Sequence, residues 1–440
     1  MATVADRGTA KRAQRLFDFS DSSDTVAFLT VYLVLLYAVP SSRSLAVLGS
    51  AGSISVLWGL IAMVLWILYR LQRPAVPASH RLPRVRAAAL VLFIAVLLSY
   101  VAAMTRAIPP SEVSTADTGL IRVVAWMGIL IIATDGIPSV RRLLALLRRL
   151  VLAASALAAL GLVQSITALS FVDQIPFPGL SVNSTYDSVE TRGGLVRASG
   201  TANHPLEYGM VLTMVFPVAV TLALRDRKRR VFGRWAPVIV IGLAILLSGS
   251  RSALIGLAVG LLVLIPSWSA RIRLGALGAG VVLTATAFVM SPQTITTVSY
   301  LFFAVADDPS AGSRSASVDI VVDFISRSPV FGRGFGTLLP EYRILDNQLF
   351  LLAIEIGVVG LLAFTALVAL GVAETIVVAR TSSVTLEREI GFALASSLVS
   401  GFVLLALFDG LSFPQSAGTL VLMIGVAGAY ARLMKRDPSS

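Results

Sequence analysis

AAALVLFIAVLLSYVAAM, residues 87–104, carries no charged side chain. As a helix it covers about 27 Å at 1.5 Å per residue, close to the roughly 30 Å hydrocarbon core of a bilayer. Inside that core a backbone must satisfy its own hydrogen bonds, and a single apolar run does so only as a helix. Comparable runs recur at 25–40, 50–70, 119–134, 150–169, 206–224, 235–248, 252–266, 274–290, 348–371, 391–408 and 416–433, making twelve with the first. The composition agrees, with 56% hydrophobic residues, 14% charged residues and a mean hydropathy of +0.85. These values exclude a soluble globular domain. They predict an all-α polytopic membrane protein of about twelve transmembrane helices, one integral membrane domain over residues 1–440.

A net charge of +12 raises the question of a nucleic-acid partner, but the basic residues lie in short stretches between apolar runs. With residue 1 in the cytoplasm, the inner segments hold 26 of the 36 Lys and Arg residues, as the positive-inside rule requires. That sidedness reads the chain as a cytoplasmic-membrane protein with both termini inside and an uncleaved N-terminal tail. The two longest polar stretches, 170–205 and 291–347, then lie outside. Within the second, Val318, Val321, Val322 and Ile325 recur at helical spacing, so 314–327 is predicted as an amphipathic helix capped by Ser313. Cysteine is absent and only two histidines occur, which excludes thiol chemistry and a His-rich metal site. No metal, no cofactor and no nucleic acid are expected; membrane lipids are.

Ten arginines and no lysine fall on the predicted outer side, four of them in conspicuous settings: Arg197, Arg251, Arg314 and Arg333. A guanidinium is a planar fork that keeps its charge when desolvated and binds phosphate bidentately, so such a set suits a polyanion at the membrane rim, a lipid-linked diphosphate for example. Lipid head groups or nearby acids are the competing partners. Ser250 and Arg251 open the run at 252–266, where a helix N-terminus adds favourable dipole and free N–H groups. In DNQLFLLAIEIGVVG, residues 346–360, Asp346 stands at the mouth of an apolar helix and Glu355 inside it. Asp346 reads either as an N-cap, a task Asn347 could share, or as a general base at a wet rim. Glu355 is an intramembrane acid and so a candidate functional residue, against a helix–helix hydrogen bond. His204, before Pro205, reads as a substrate-binding group or a cap. GRGFG at 332–336 lacks the strand and βαβ unit of a dinucleotide fingerprint, so its glycines serve a turn or a phosphate approach.

RASGTANHP, SGSRSALIGLAVGLLVL, SRSASVDIVVDFISRSPVFGRGFG and DNQLFLLAIEIGVVGLLAF, in that order, resemble the O-antigen ligase and Wzy-type polysaccharide polymerase superfamily over about 165–370. The resemblance implies a GT-C-type, metal-independent membrane glycosyltransferase. Its donor would be a glycan on polyprenyl diphosphate and its acceptor a hydroxyl of a glycan or lipid, met on the outer face. Arg197 and Arg251 would hold the diphosphate, and Arg314 would open the loop helix. O-antigen ligases carry His-Asn before the following helix, where this chain has Asp346-Asn347. Asp346 to Gly357 is also similar to the stretch around the catalytic aspartate of the SEDS peptidoglycan polymerases, which places polymerase ahead of ligase. A secondary transporter is the alternative from another class, resting on Glu355 and Glu374.

Overall fold

The computed structural model of the chain describes residues 24–46, 48, 52–72, 83–182, 189–192, 195–226, 230–290 and 320–436. Among the described residues, twelve α-helices of 14 residues or more answer the twelve apolar runs. They are α1 Asp24–Ala38, α2 Ile54–Gln72, α3 Arg84–Met104, α4 Pro110–Gly136, α5 Val140–Thr167, α6 Pro205–Arg225, α7 Val231–Leu247, α8 Arg251–Leu264, α9 Ala270–Met290, α10 Gln348–Thr381, α11 Thr385–Leu405 and α12 Pro414–Arg436. Eight of them are long and apolar enough to cross a membrane; α1, α7 and α8 are shorter.

Several bounds differ from the sequence reading, each for a local reason. RRLLALLRR, read as a loop, is the first part of α5. Leu143, Leu146, Leu147 and Leu150 lie buried at helical spacing there, and the Ser139 side chain caps the start by accepting from the Arg142 N–H. α4 begins nine residues before the apolar run at 119, with Pro110 in its first turn, where proline's missing N–H costs nothing. Of the helix expected over 314–327, residues 320–327 are helical; Ser313 and Arg314 lie outside the described residues. The stretch 170–205, read without strands, holds β2 Leu180–Val182, paired antiparallel with β1 Arg43–Leu45, and the hairpin of β3 Val189–Arg192 with β4 Leu195–Ala198.

Helices α6 and α12 are the axis of the bundle, with 94% and 89% of their apolar windows buried, against 17% for α2, which faces outward. Small residues allow this closeness. Gly425 of α12 lies against Leu130 and Ala133 of α4, and the Thr134 hydroxyl reaches the Gly425 carbonyl at 3.3 Å.

Polar contacts sort the helix ends into two groups. At one end the helices are clamped by ion pairs: Arg86–Asp135 and Arg84–Glu374 at 2.8 Å, Arg148–Asp226 at 2.8 Å, Arg225–Glu389 and Lys435–Glu374. The loop-rich end gathers residues 39–46, 48, 52–53, 168–182, 189–192, 195–204, 248–250, 328–347 and 406–413. Ser41 N donates to the Thr201 carbonyl at 2.9 Å, and Leu411 N to Gln348 Oε1 at 2.9 Å.

Candidate functional site

The first turn of α6 is where the loop-rich end converges. His204 is its N-cap, Nδ1 accepting from the Leu206 N–H at 3.1 Å, and the imidazole lies 5.9 Å from the Phe413 ring. Three residues on, the buried Glu207 carboxylate accepts from the Ser41 hydroxyl at 2.8 Å and from the Asn203 and Gln415 N–H groups, both at 2.6 Å. The segment after α1, the turn before α6 and the first turn of α12 are thereby tied to one helix start. Gly209 brings the backbone of α6 against α8: a Cβ there would stand 2.9 Å from that of Ala253. On a neighbouring face, Met210 packs against Gly410, in the turn between α11 and α12.

Arg251 is the first residue of α8, whose N-cap Ser250 accepts from the Ala253 N–H at 3.3 Å. Arg197, on β4, is buried at 5% exposure and donates from Nε to the Ser248 carbonyl at 3.4 Å. Its side-chain stem lies along Gly249, two residues before Arg251, where φ is +60° and a larger residue would meet that stem. The turn that leads into Arg251 is thus also the one the Arg197 side chain packs on. The structure brings β4 and the start of α8 together beside the first turn of α6, although they are far apart in sequence.

Of the two neighbours Asp346 and Asn347, the second takes the capping task. Asn347 is the N-cap of α10, its Oδ1 accepting from Leu349 N at 3.0 Å and Phe350 N at 3.1 Å. Asp346 is exposed and takes no part in the cap. A second acid, Asp409, lies in the turn between α11 and α12, close enough to feel the Asp346 charge. Burial first, and that neighbouring charge besides, push the Asp409 carboxyl up to about 6, while the Ser412 hydroxyl draws it down.

The unfolded value is about 3.9. Between the two values the folded protein keeps a proton that the unfolded chain has released. This contribution to stability is complete below about pH 3.9 and is lost as pH rises through about 6. The melting temperature in detergent is expected to fall across that window, and Asp409→Asn to flatten the fall; an unchanged slope in the variant contradicts the assignment.

Glu355 marks a break in α10. Gly357 has φ 67° and ψ −177°, so the helical ladder fails there. Residues 329–334 repair it: Arg333 N donates to the Ile354 carbonyl at 3.0 Å, Gly334 N to the Glu355 carbonyl at 2.8 Å and Val358 N to the Pro329 carbonyl at 2.9 Å. Irregular backbone at this depth is tolerated because a second segment satisfies it. The Glu355 carboxylate itself is buried and accepts from Leu338 N at 3.3 Å, with Arg122 and Arg333 close enough to act on its charge. GRGFG is therefore the strap that seals the break, the turn alternative of the sequence reading.

Arg333 points into this strap rather than to the α6 terminus. It donates to Glu112 Oε1 at 2.7 Å, and its guanidinium carbon lies 5.1 Å from each of the Phe324 and Tyr342 rings. Glu112 also accepts from Arg106 at 2.8 Å and from the Tyr342 hydroxyl at 2.7 Å. Arg333 thus takes the acid partner named as its alternative.

Glu112, Glu207 and Asp409 were not among the sequence candidates. Glu207 and Asp409 carry the signal that picked out Asp346, an acid bordering an apolar run; Glu112 is set in a polar stretch and has no such mark. Among the described residues no group of three or more His, Asp or Glu side chains could hold a metal ion.

Residues 236–365 match the family model described as O-antigen ligase. The match supports the O-antigen ligase and Wzy-type superfamily, and with it glycan transfer in a membrane. It takes in Arg251, Arg333, Asp346, Asn347 and Glu355, and leaves Arg197 and His204 outside. None of the curated proteins compared with the chain matches it.

Proposed function

From that family match as premise, we propose that the chain is a membrane glycosyltransferase that lengthens a polysaccharide carried on polyprenyl diphosphate. The loop-rich end is assigned to the outer face of the cytoplasmic membrane and the ion-paired end, with its basic connections, to the cytoplasm. All twelve long helices are read as spanning, the short ones with tilted neighbours. One observation carries the reading: β4 and the start of α8 set Arg197 and Arg251 around a single turn, and that turn packs on the same helix start as the segment bearing Asp409.

In this reading the donor's diphosphate rests between Arg197 and Arg251, at the α8 N-terminus, where dipole and guanidinium charge stabilise the anion as it leaves. The acceptor hydroxyl approaches from the other side, gives its proton to Asp346, and attacks the anomeric carbon with inversion. The bond to the sugar forms as the bond to the diphosphate oxygen breaks, and polyprenyl diphosphate departs. No metal is needed in this scheme, since the arginines supply the positive charge. Glu355 and Arg333 act at a distance by holding the strap 329–345 and, through it, the start of α10. His204 keeps the α6 terminus in place. Arg314 is retained as a proposed contact to the donor.

A proton-coupled transporter would need an acidic path across the bilayer. Glu355 and Glu374 sit nineteen residues apart on α10, roughly 28 Å by helical rise. Glu374 is bound to Arg84 and Lys435 at the far end. That separation weighs against the transporter.

The decisive measurement uses purified protein in lipid nanodiscs with a synthetic polyprenyl-diphosphate glycan. Release of polyprenyl diphosphate together with a ladder of product lengths is expected. One-step transfer of a preformed chain to a different acceptor, with no ladder, identifies a ligase instead; no release at all removes the assignment.

A further inference from the structure

Gln348 opens α10 and is buried at 1% exposure, ahead of the apolar run LFLLAI. A primary amide in such a place costs free energy unless its polar atoms are bonded, a cost that leucine at similar size does not carry. Its Oε1 accepts from the Leu411 N–H at 2.9 Å, a bond buried from water. Asn347 is extended, with φ −156° and ψ 106°, so the chain covers about 7 Å from Asp346 to Gln348. Asp409 likewise stands two residues before Leu411. The bond from helix to turn thus lies two residues from each acid, and the Asp346 charge is felt at Asp409.

The same turn is fastened on its other sides. The Ser416 hydroxyl of α12 donates to the Gly410 carbonyl. Gly410 lies so close to its neighbours that a Cβ there would stand 2.8 Å from the Leu405 side chain of α11 and 3.0 Å from the Met210 sulfur of α6. On the neighbouring face of α6, Gly209 meets Ala253 of α8, two residues after Arg251. A continuous route therefore runs from Asp346 through Gln348, Leu411 and Gly410 to α6, and from α6 to the start of α8. In that route the Gln348–Leu411 bond is the step that joins the helix bearing Asp346 to the turn. The strap 329–334 holds the same helix deeper in, at its break.

We propose that Gln348 is a positioning residue for glycosyl transfer, holding Asp346 in register with the Arg197–Arg251 corner through the 409–412 turn. This rests on the transfer reading and deepens it. Displacement with inversion needs the attacking hydroxyl and the departing diphosphate on opposite sides of one carbon, so the base and the arginines must keep a fixed separation. An apolar side chain at 348 leaves the buried Leu411 N–H unmet, and the turn moves to find it a partner.

The test compares wild type with Gln348→Leu, Gln348→Asn and Gln348→Glu, each as the full chain in nanodiscs with the synthetic polyprenyl-diphosphate glycan. Leucine removes the acceptor at similar size, asparagine keeps the amide one methylene short, and glutamate keeps an acceptor at full reach. Gln348→Leu is expected to lower kcat by about tenfold to a hundredfold with the donor KM little changed, and to quicken hydrogen exchange over 406–413. Asp409 supplies a readout that general loosening does not move. Asp346 acts on it from α10, the Ser412 hydroxyl bonds it, and from α6 His204 stands against Phe413, four residues on. Once the turn opens to water, the fall in melting temperature between about pH 3.9 and about 6 flattens, as in Asp409→Asn. A variant that is merely less stable keeps the fall and melts lower throughout. Gln348→Asn is expected to repeat the pattern more weakly, which covers a leucine variant that folds poorly, and Gln348→Glu to restore protection and most of the rate. Wild-type kcat with 406–413 open overturns the proposal, and so does a lowered kcat with 406–413 still protected. In both cases release of polyprenyl diphosphate by wild type leaves the transfer reading standing. A wild type that releases none removes that reading and the proposal with it.

Discussion

Arg251→Ala and Asp346→Asn are each expected to abolish chain growth in nanodiscs while the purified protein keeps its melting temperature. The size of the loss follows from the two roles. A preorganised donor at a developing anion is worth about 10²–10³ in rate, and a positioned general base roughly 10²–10⁴. The retained stability follows from the geometry. The α8 start is capped by the Ser250 hydroxyl, so truncating Arg251 leaves the cap in place. Asp346 is exposed and Asn347 caps α10, so removing the charge at 346 changes stability by no more than about 0.5 kcal/mol. Asn347→Ala is the informative contrast, costing about 1 kcal/mol through the lost cap without touching the base. Arg251→Lys keeps the charge but loses the fork, and its activity is expected between wild type and alanine. Full activity in both Arg251→Ala and Asp346→Asn would sink the mechanism.

That contrast also shows where sequence reading stopped. Long uncharged runs such as 87–104 need no partner to be recognised, because the bilayer imposes their length, and all twelve return as helices. The N-terminal part of α4 was invisible for the opposite reason. PSEVSTADTG is polar and looks like a loop, but the strap packs on it, with a Cβ at Gly119 meeting Phe335. The arginine corner was half legible. Guanidinium groups on the predicted outer side singled out 197 and 251, while their meeting depends on Gly249 and Gly209, two close approaches that no local pattern announces. Whether Asp346 or Asn347 caps α10 could not be told from two adjacent good cappers; only the backbone decides it. Asp409 was passed over although it borders an apolar run just as Asp346 does. Glu355 was legible as an anomaly and not as a solution, since its backbone partner at Leu338 lies across a break that Gly357 makes possible.

The other large effect is expected at Glu112, a residue far from any proposed reacting atom. Its carboxylate, with 3% of the side chain exposed, is shared by Arg106, Arg333 and the Tyr342 hydroxyl. Glu112→Ala leaves the Arg333 guanidinium, 11% exposed, without its hydrogen-bonded acid, and breaking such a pair costs about 3–5 kcal/mol. The bundle need not bear that cost. Its interior is held by α6, α11 and α12, none of which touches Glu112 among the bonds described, whereas the strap 329–345 can detach and let Arg333 reach water. Local opening then caps the penalty. Detachment in turn withdraws the Arg333 and Gly334 N–H groups and the Pro329 carbonyl from the α10 break, and the helix start bearing Asp346 loses its footing. The expected signature is accelerated hydrogen exchange at 329–338 and 354–359, a large loss of transfer, and a circular dichroism spectrum unchanged in helix content. Glu112→Gln retains an acceptor without the charge and is expected to recover part of the protection. A variant whose whole bundle unfolds, or one whose strap stays protected with activity intact, would show that the cluster does not hold the α10 start in place.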